Sequence, residues 1–171
     1  MSRLFQVKNM MKNIQRIASI FLVLVYGLAC AGDWEDGYAA YERQDYKTAV
    51  KLWRKVADTG DSSAQSLLGA MHAQGQGVPQ DYAEAIRWYR LAAAQGEVKA
   101  QAKLGYMYAN AQGTGRDYLR AYVWSSLAAI GGQKEAVKVR DSAEQSLSLE
   151  QFATAKRLVR DCPLRKYQNC N

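Results

Sequence analysis

The chain has 171 residues, of which 49% are hydrophobic, 23% are charged and only two are proline. That composition excludes a disordered, collagen-like or low-complexity polypeptide and suffices for one or two compact domains. The 23 Lys+Arg exceed the 16 Asp+Glu, but Arg3, Lys8, Lys12 and Arg16 all precede the first acidic residue, Asp33. The basic excess is therefore largely an addressing signal and not a nucleic-acid footprint.

Met1 to Arg16 form a basic, acid-free lead, and Ile17 to Leu28 follow as an uncharged apolar run. The whole uncharged stretch, Ile17 to Gly32, is shorter than the about 20 apolar residues of a bilayer-spanning helix and suits the core of a signal peptide. Ala29-Cys30-Ala31 then supplies an A-x-A site, which predicts a signal peptide over 1–31, cleavage before Gly32, and a periplasmic or secreted mature protein. Two alternatives stay open: lipidation at Cys30, for which Ala29 fits but Gly27 and Leu28 do not, and an uncleaved anchor. Only these two would place the protein on a membrane.

The next elements repeat. Ala64–Gly96 laid over Ala100–Gly132, 36 positions on, gives 16 identical pairs in 33 without a gap. Asp45-Tyr46, Ala49, Ala57 and Gly60 extend the register backward, and Ala136 extends it forward into a divergent last unit. Each unit reads as two helices. Ala64, Leu68 and Met71, like Ala100, Leu104 and Met107, fall at i, i+4 and i+7. Gly69 and Gly105 lie mid-helix, where glycine costs about 1 kcal/mol against alanine, so close approach of a second helix is expected there. After a Gly-rich turn, Asp45, Asp81 and Asp117 are the predicted N-caps of the second helices, with Glu84 completing a capping box in one copy. Gly60, Gly96 and Gly132 suit the left-handed residue that ends those helices.

In the tail, Ser148 and Gln151 predict a capping box before a helix through Phe152, Ala155 and Leu158, which Pro163 is expected to stop. With Cys30 removed or lipidated, Cys162 and Cys170 are left as an even pair, eight positions apart and without C-x-x-C spacing. In an exported chain they read as a short-loop disulfide.

The pattern A-x-x-x-L-G-x-M-[HY], G-x-G, D-Y-x-x-A-x-x-W, A-A-x-x-G resembles the Sel-one-like repeat (SLR) family, a cousin of the tetratricopeptide repeat. The 36-residue period separates it from the 34-residue tetratricopeptide unit. The resemblance covers about Tyr38 to Ala136 and, more loosely, the helical tail. It implies an all-α, short right-handed α-solenoid of about four helix pairs, with the first helices lining a concave surface. The organisation expected is a solenoid over 32–136, capping helices over 137–161 and a disulfide-closed tail over 162–171. Family members are mainly adaptors that hold other proteins, often exported by bacteria. Relatives associated with β-lactams carry a Cys pair in each repeat, which this chain lacks.

Enzyme signals are scarce: no H-E-x-x-H, G-x-S-x-G, S-x-x-K or Walker loop occurs. Gly75/Gly77 and Gly113/Gly115 lie between helices and not after a strand, so no phosphate cradle and no cofactor is expected; one His and three Cys offer little for a metal. His72 falls where the next unit has Tyr108, which argues for a packed ring over a catalytic one. The recurring Leu68, Gly69, Tyr82, Ala85 and Trp88, and their counterparts Leu104, Gly105, Tyr118, Ala121 and Trp124, read as repeat core. Residues that break the repeat are the candidate partner-binding set: Lys103 for Leu67, Tyr106 for Ala70 and Asn110 for Gln74. Lys156, Arg157, Arg160, Arg165 and Lys166 form a basic tail that reads as a solvated face. The function expected is a non-catalytic protein–protein scaffold of the bacterial envelope, with no nucleic acid bound. The rivals are a hydrolase acting on the cell wall or on β-lactams, and a secreted factor that binds a host protein.

Overall fold

The computed structural model describes residues 32–164 together with Tyr167 and Cys170. The predicted signal peptide, Cys30, Arg165 and Lys166 lie outside the described residues. Among those described there are eight helices and no strand: α1 (32–42), α2 (Tyr46–Asp58), α3 (Ser62–Gln74), α4 (Tyr82–Ala93), α5 (Val98–Ala109), α6 (Tyr118–Ile130), α7 (Ala136–Glu144) and α8 (Leu149–Leu164).

The capping chemistry sets these boundaries. Asp45, Asp81 and Asp117 each accept backbone N–H bonds in the first turn of α2, α4 and α6, at 2.9–3.2 Å. Gly60, Gly96 and Gly132 follow the second helices with φ of 98°, 86° and 94°. The expected capping box at Asp81 is only half made. The Asp81 N–H donates instead to the His72 carbonyl at 2.9 Å, which leaves the Glu84 carboxylate to pair with Arg87 at 2.6 and 2.8 Å. Asp117 repeats this bond to the Tyr108 carbonyl.

Within a unit the helices meet across glycine. A Cβ on Gly69 would lie 2.7 Å from the buried ring of Tyr89, and one on Gly105 would overlap Ser125 Oγ. Between units, the buried amides of Gln65 and Gln101 donate to the carbonyls of Ala57 and Ala93, which end the preceding second helices. Loop glycines lock the same junctions: Gly77 sits on the Tyr46 carbonyl and Gly113 on that of Tyr82, too close for any side chain. First helices touch one another, α3 with α5 and α5 with α7, more closely than α2 touches α4 or α4 touches α6. Through α6 the stack therefore curves with first helices on its inner side.

The last unit departs from the repeat. Tyr118 maps to Thr154 in register, yet α8 starts at Leu149, and Leu149 stands where the two earlier units have Gly77 and Gly113. A leucine cannot lie on the Tyr118 carbonyl, and α8 packs chiefly against α6. Under it, residues Ala121 to Ala128 of α6 are all buried. The Ser148–Gln151 capping box forms as expected. The helix does not stop before Pro163, however, but runs one residue past it to Leu164. Proline deprives the Val159 carbonyl of its helical donor, and one residue from the end this interrupts little. The chain then folds back, the Tyr167 N–H donating to the Cys162 carbonyl at 2.8 Å. Cys162 and Cys170 form a disulfide with Cα atoms 5.5 Å apart, both buried in the core, and the Tyr167 ring closes on Gly96.

Candidate protein-binding cleft

On the inner side, a cleft of about 400 Å³ lies between α5 and α7. Its walls include Lys99, Lys103 and Tyr106 from α5, and Glu135 and Val139 at the start and middle of α7. The spacing of 99, 103 and 106 puts these three on one face of α5, opposite the face that buries Leu104 and Tyr108. Tyr106 is 48% exposed, an apolar ring with a hydroxyl at the mouth of an apolar-floored recess. Lys99 and Lys103 set two cations beside it and Glu135 a carboxylate across from it. That arrangement suits an apolar or aromatic side chain flanked by an acidic group from a protein partner.

Of the three residues singled out by their break with the repeat, Lys103 and Tyr106 meet in this cleft. Asn110 does not. Its backbone N–H and side-chain amide both donate to the Tyr106 carbonyl, at 3.1 and 2.8 Å, so it caps the end of α5. The cleft's other wall, Glu135 and Val139, was not identified from sequence, because it lies beyond the last intact repeat. Among the ten residues assigned to the repeat core, Tyr82 and Tyr118 are only half-buried. As first residues of their helices they sit at the rim, Tyr82 Oη accepting from Gln80 and Tyr118 lying under Arg116. The other eight are buried.

His72 is packed at the junction of three helices. The Arg54 guanidinium, which can only donate, lies 3.3 Å from Nε2, so the ring proton is on Nδ1. Burial holds the imidazole below its ordinary pKa, with the Glu84 carboxylate acting in the opposite sense. Arg54 and Arg87 both stand over the Trp88 ring, 5.3 and 4.5 Å from its centroid. Glu84, in turn, is held below the usual carboxylate range chiefly by its bond from Arg87. This is a tied-down packing network. Among the described residues no three His, Cys, Asp or Glu side chains gather as a metal-binding group.

The Sel1 repeat model matches residues 26–61, 62–97 and 98–133, three consecutive 36-residue units, the first opening inside the predicted signal segment. The fold is similar to that of a protective antigen present in uropathogenic Escherichia coli strains and displaying an SLR fold, with 31% identity over 81% of this chain and a TM-score of 0.73. The chain spans only 30% of that antigen's length. It is also similar to a Sel1 repeat protein from Oxalobacter formigenes, with 26% identity over 75% of this chain and 98% of that one, at a TM-score of 0.62. No curated protein matches it significantly in sequence. Sel1-repeat folds generally mediate protein–protein interaction and are typically non-enzymatic scaffolds. Since three matched units cover well over half of its residues, the chain belongs to the Sel1 repeat family.

Proposed function

We propose that the protein is an exported, non-catalytic adaptor of the bacterial cell envelope that holds a protein partner along its inner face, anchored in the α5–α7 cleft. The observation that carries this reading is the exposed Tyr106 beside Lys103, on a helix whose equivalent positions in the preceding unit are Ala70 and Leu67. A ring and a cation placed on an otherwise repeated surface add recognition chemistry without serving the core. Export rests on the leader and its A-x-A site.

The test is affinity capture from envelope extracts with wild-type, Tyr106→Ala and Lys103→Glu baits. A partner retained by wild type and lost by both variants, with unchanged helical content, supports the reading; equal retention by all three overturns the cleft. Mass spectrometry of the purified protein should find Gly32 at the N-terminus, and an acylated Cys30 would replace a soluble adaptor by a lipid-anchored one. The hydrolase alternative is met by assaying the same protein on a chromogenic β-lactam and on peptidoglycan, where no turnover is expected.

Likeness to a protective antigen favours one further reading, a surface or secreted factor directed at a host protein. Recovery of the protein outside the cell, with none in the periplasm, would select it.

A further inference from the structure

The two ends of the array carry opposite charge. Helix α1 contains four carboxylates (Asp33, Glu35, Asp36, Glu42) and no Lys or Arg, whereas α8 contains three cations (Lys156, Arg157, Arg160) against two carboxylates, Glu150 and Asp161. Asp33 is taken up internally by Lys55, at 3.1 Å. Glu35, Ala39 and Glu42 fall at i, i+4 and i+7 on the exposed face of α1, with the 53%-exposed Tyr38 beside them. The opposite face of α1 is used, its Trp34, Gly37 and Tyr41 packing on Trp53.

Helix α8 presents cations on its exposed face, with the exposed Glu150 in its first turn. Leu149, Ala153, Arg157 and Arg160 run at i, i+4, i+8 and i+11 along its exposed face, with Lys156 alongside and the half-buried Phe152 at the edge. Leu149 is 90% exposed, the most exposed large apolar side chain among those described. These side chains border a shallow concavity. Arg160 is partly neutralised by Asp161 at 2.9 Å, and Lys156 lies 5.3 Å from the Phe152 ring. Of the described tail residues, Tyr167 lies against Gly96 and Cys170 is buried, so neither covers this face.

We infer that the exposed face of α8 docks α1 of a second copy of this chain, head to tail. The two stripes match in kind. Each has a small alanine at its centre, Ala39 and Ala153, that lets helix backbones approach. Each has apolar surface to bury, Tyr38 on α1 and Leu149 with Phe152 on α8. Carboxylates on one meet cations on the other, and like ends repel, which selects the head-to-tail arrangement over a symmetric dimer. Because the contact is heterologous, it leaves a free end on each partner and lengthens the inner surface by one array per added copy. One helix-on-helix contact is small for a specific interface, so association is expected to be weak and to grow with protein concentration.

Sedimentation velocity of the chain as the cell processes it, with its N-terminus defined by mass, tests this at increasing concentration in about 50 mM and about 500 mM sodium chloride. The average mass should at least double with concentration at low salt, without stopping at two copies, and fall back toward one copy at high salt. Glu35→Lys with Glu42→Lys should stay monomeric, and so should Lys156→Glu with Arg157→Glu. Mixing the two variants should restore assembly, because each supplies the charge the other needs. All four positions are exposed, so circular dichroism should find both variants folded. A wild-type monomer throughout, a mass that saturates at two copies, or association indifferent to these reversals would overturn the proposal. Binding of that monomer to vesicles rich in anionic lipid, abolished by Lys156→Glu with Arg157→Glu, would overturn it too and assign the α8 face to a membrane surface.

Discussion

Gly69 in α3 lies flat against the ring of Tyr89 in α4, so that a Cβ at residue 69 would come within 2.7 Å of the ring edge. A helix-interior glycine is normally a weak point, and alanine there would add about 1 kcal/mol. Here the ring is 2% exposed and cannot swing away. Gly69→Ala is therefore expected to destabilise, by about 1–3 kcal/mol. Gly105→Ala should cost at least as much, because it meets the Ser125 backbone N–H at 3.0 Å as well as its hydroxyl. Urea unfolding monitored by circular dichroism reads both, and a stabilised variant would contradict the close-approach role.

The loops that follow α3 and α5 contain a second substitution with a calculable sign. Gly75 adopts φ 69°, and its counterpart one unit later is Ala111, at φ 56°. Alanine in the left-handed region carries strain of about 1 kcal/mol, and the side chain is exposed. Ala111→Gly relieves that strain while loosening the unfolded chain, for a net stabilisation of about 0.5 kcal/mol. The midpoint of denaturant unfolding should rise slightly, while Gly75→Ala lowers it.

Helix α6 differs from α4 on the face that α8 covers. Val123 and Ser126 replace the exposed Arg87 and Arg90, and Leu127 is 3% exposed where its identical counterpart Leu91 is 43% exposed. Val123→Arg restores the residue of the earlier unit and should place an unpaired cation under α8. We expect a loss of at least about 3 kcal/mol or detachment of α8. Limited proteolysis between α7 and α8, absent from the wild type, would mark the detachment.

The buried His72 makes stability depend on pH. Its folded pKa is below the ordinary value of 6.5, chiefly through burial, so on acidification the unfolded chain binds a proton that the folded one does not. Stability should accordingly fall as pH drops below about 6.5 and stop falling through this group once the folded pKa is passed. His72→Tyr, the residue of the next unit, should remove that part of the slope. Comparing urea midpoints of the two proteins at about pH 7.5 and about pH 5 isolates it, because the carboxylates are common to both. Identical slopes would mean that His72 is solvated.

Much of this architecture is periodic and therefore legible locally. A helix needs only its own spacing, its capping aspartate and its closing glycine, and the 36-residue register presents these features in each unit. The mid-helix glycines signalled that another helix comes close there, though not which one. The candidate cleft was half legible: Lys103 and Tyr106 stood out because they break a pattern, whereas Glu135 and Val139 lie where no pattern remained to be broken. Asn110 breaks the pattern too, but its polarity serves a helix end outside that cleft.

The amino-acid sequence by itself determined the repeat, the helix pairs and the pairing of Cys162 with Cys170, all consequences of short-range spacing and compartment chemistry. Only the tertiary structure decided where α8 goes. Its place depends on Leu149 being unable to lie on the Tyr118 carbonyl and on the uncharged face of α6 needing a cover, and these residues meet only after the units have stacked. The same packing decides which α8 side chains remain exposed at the end of the array, since burying one face of an amphipathic helix fixes what the opposite face presents to solvent.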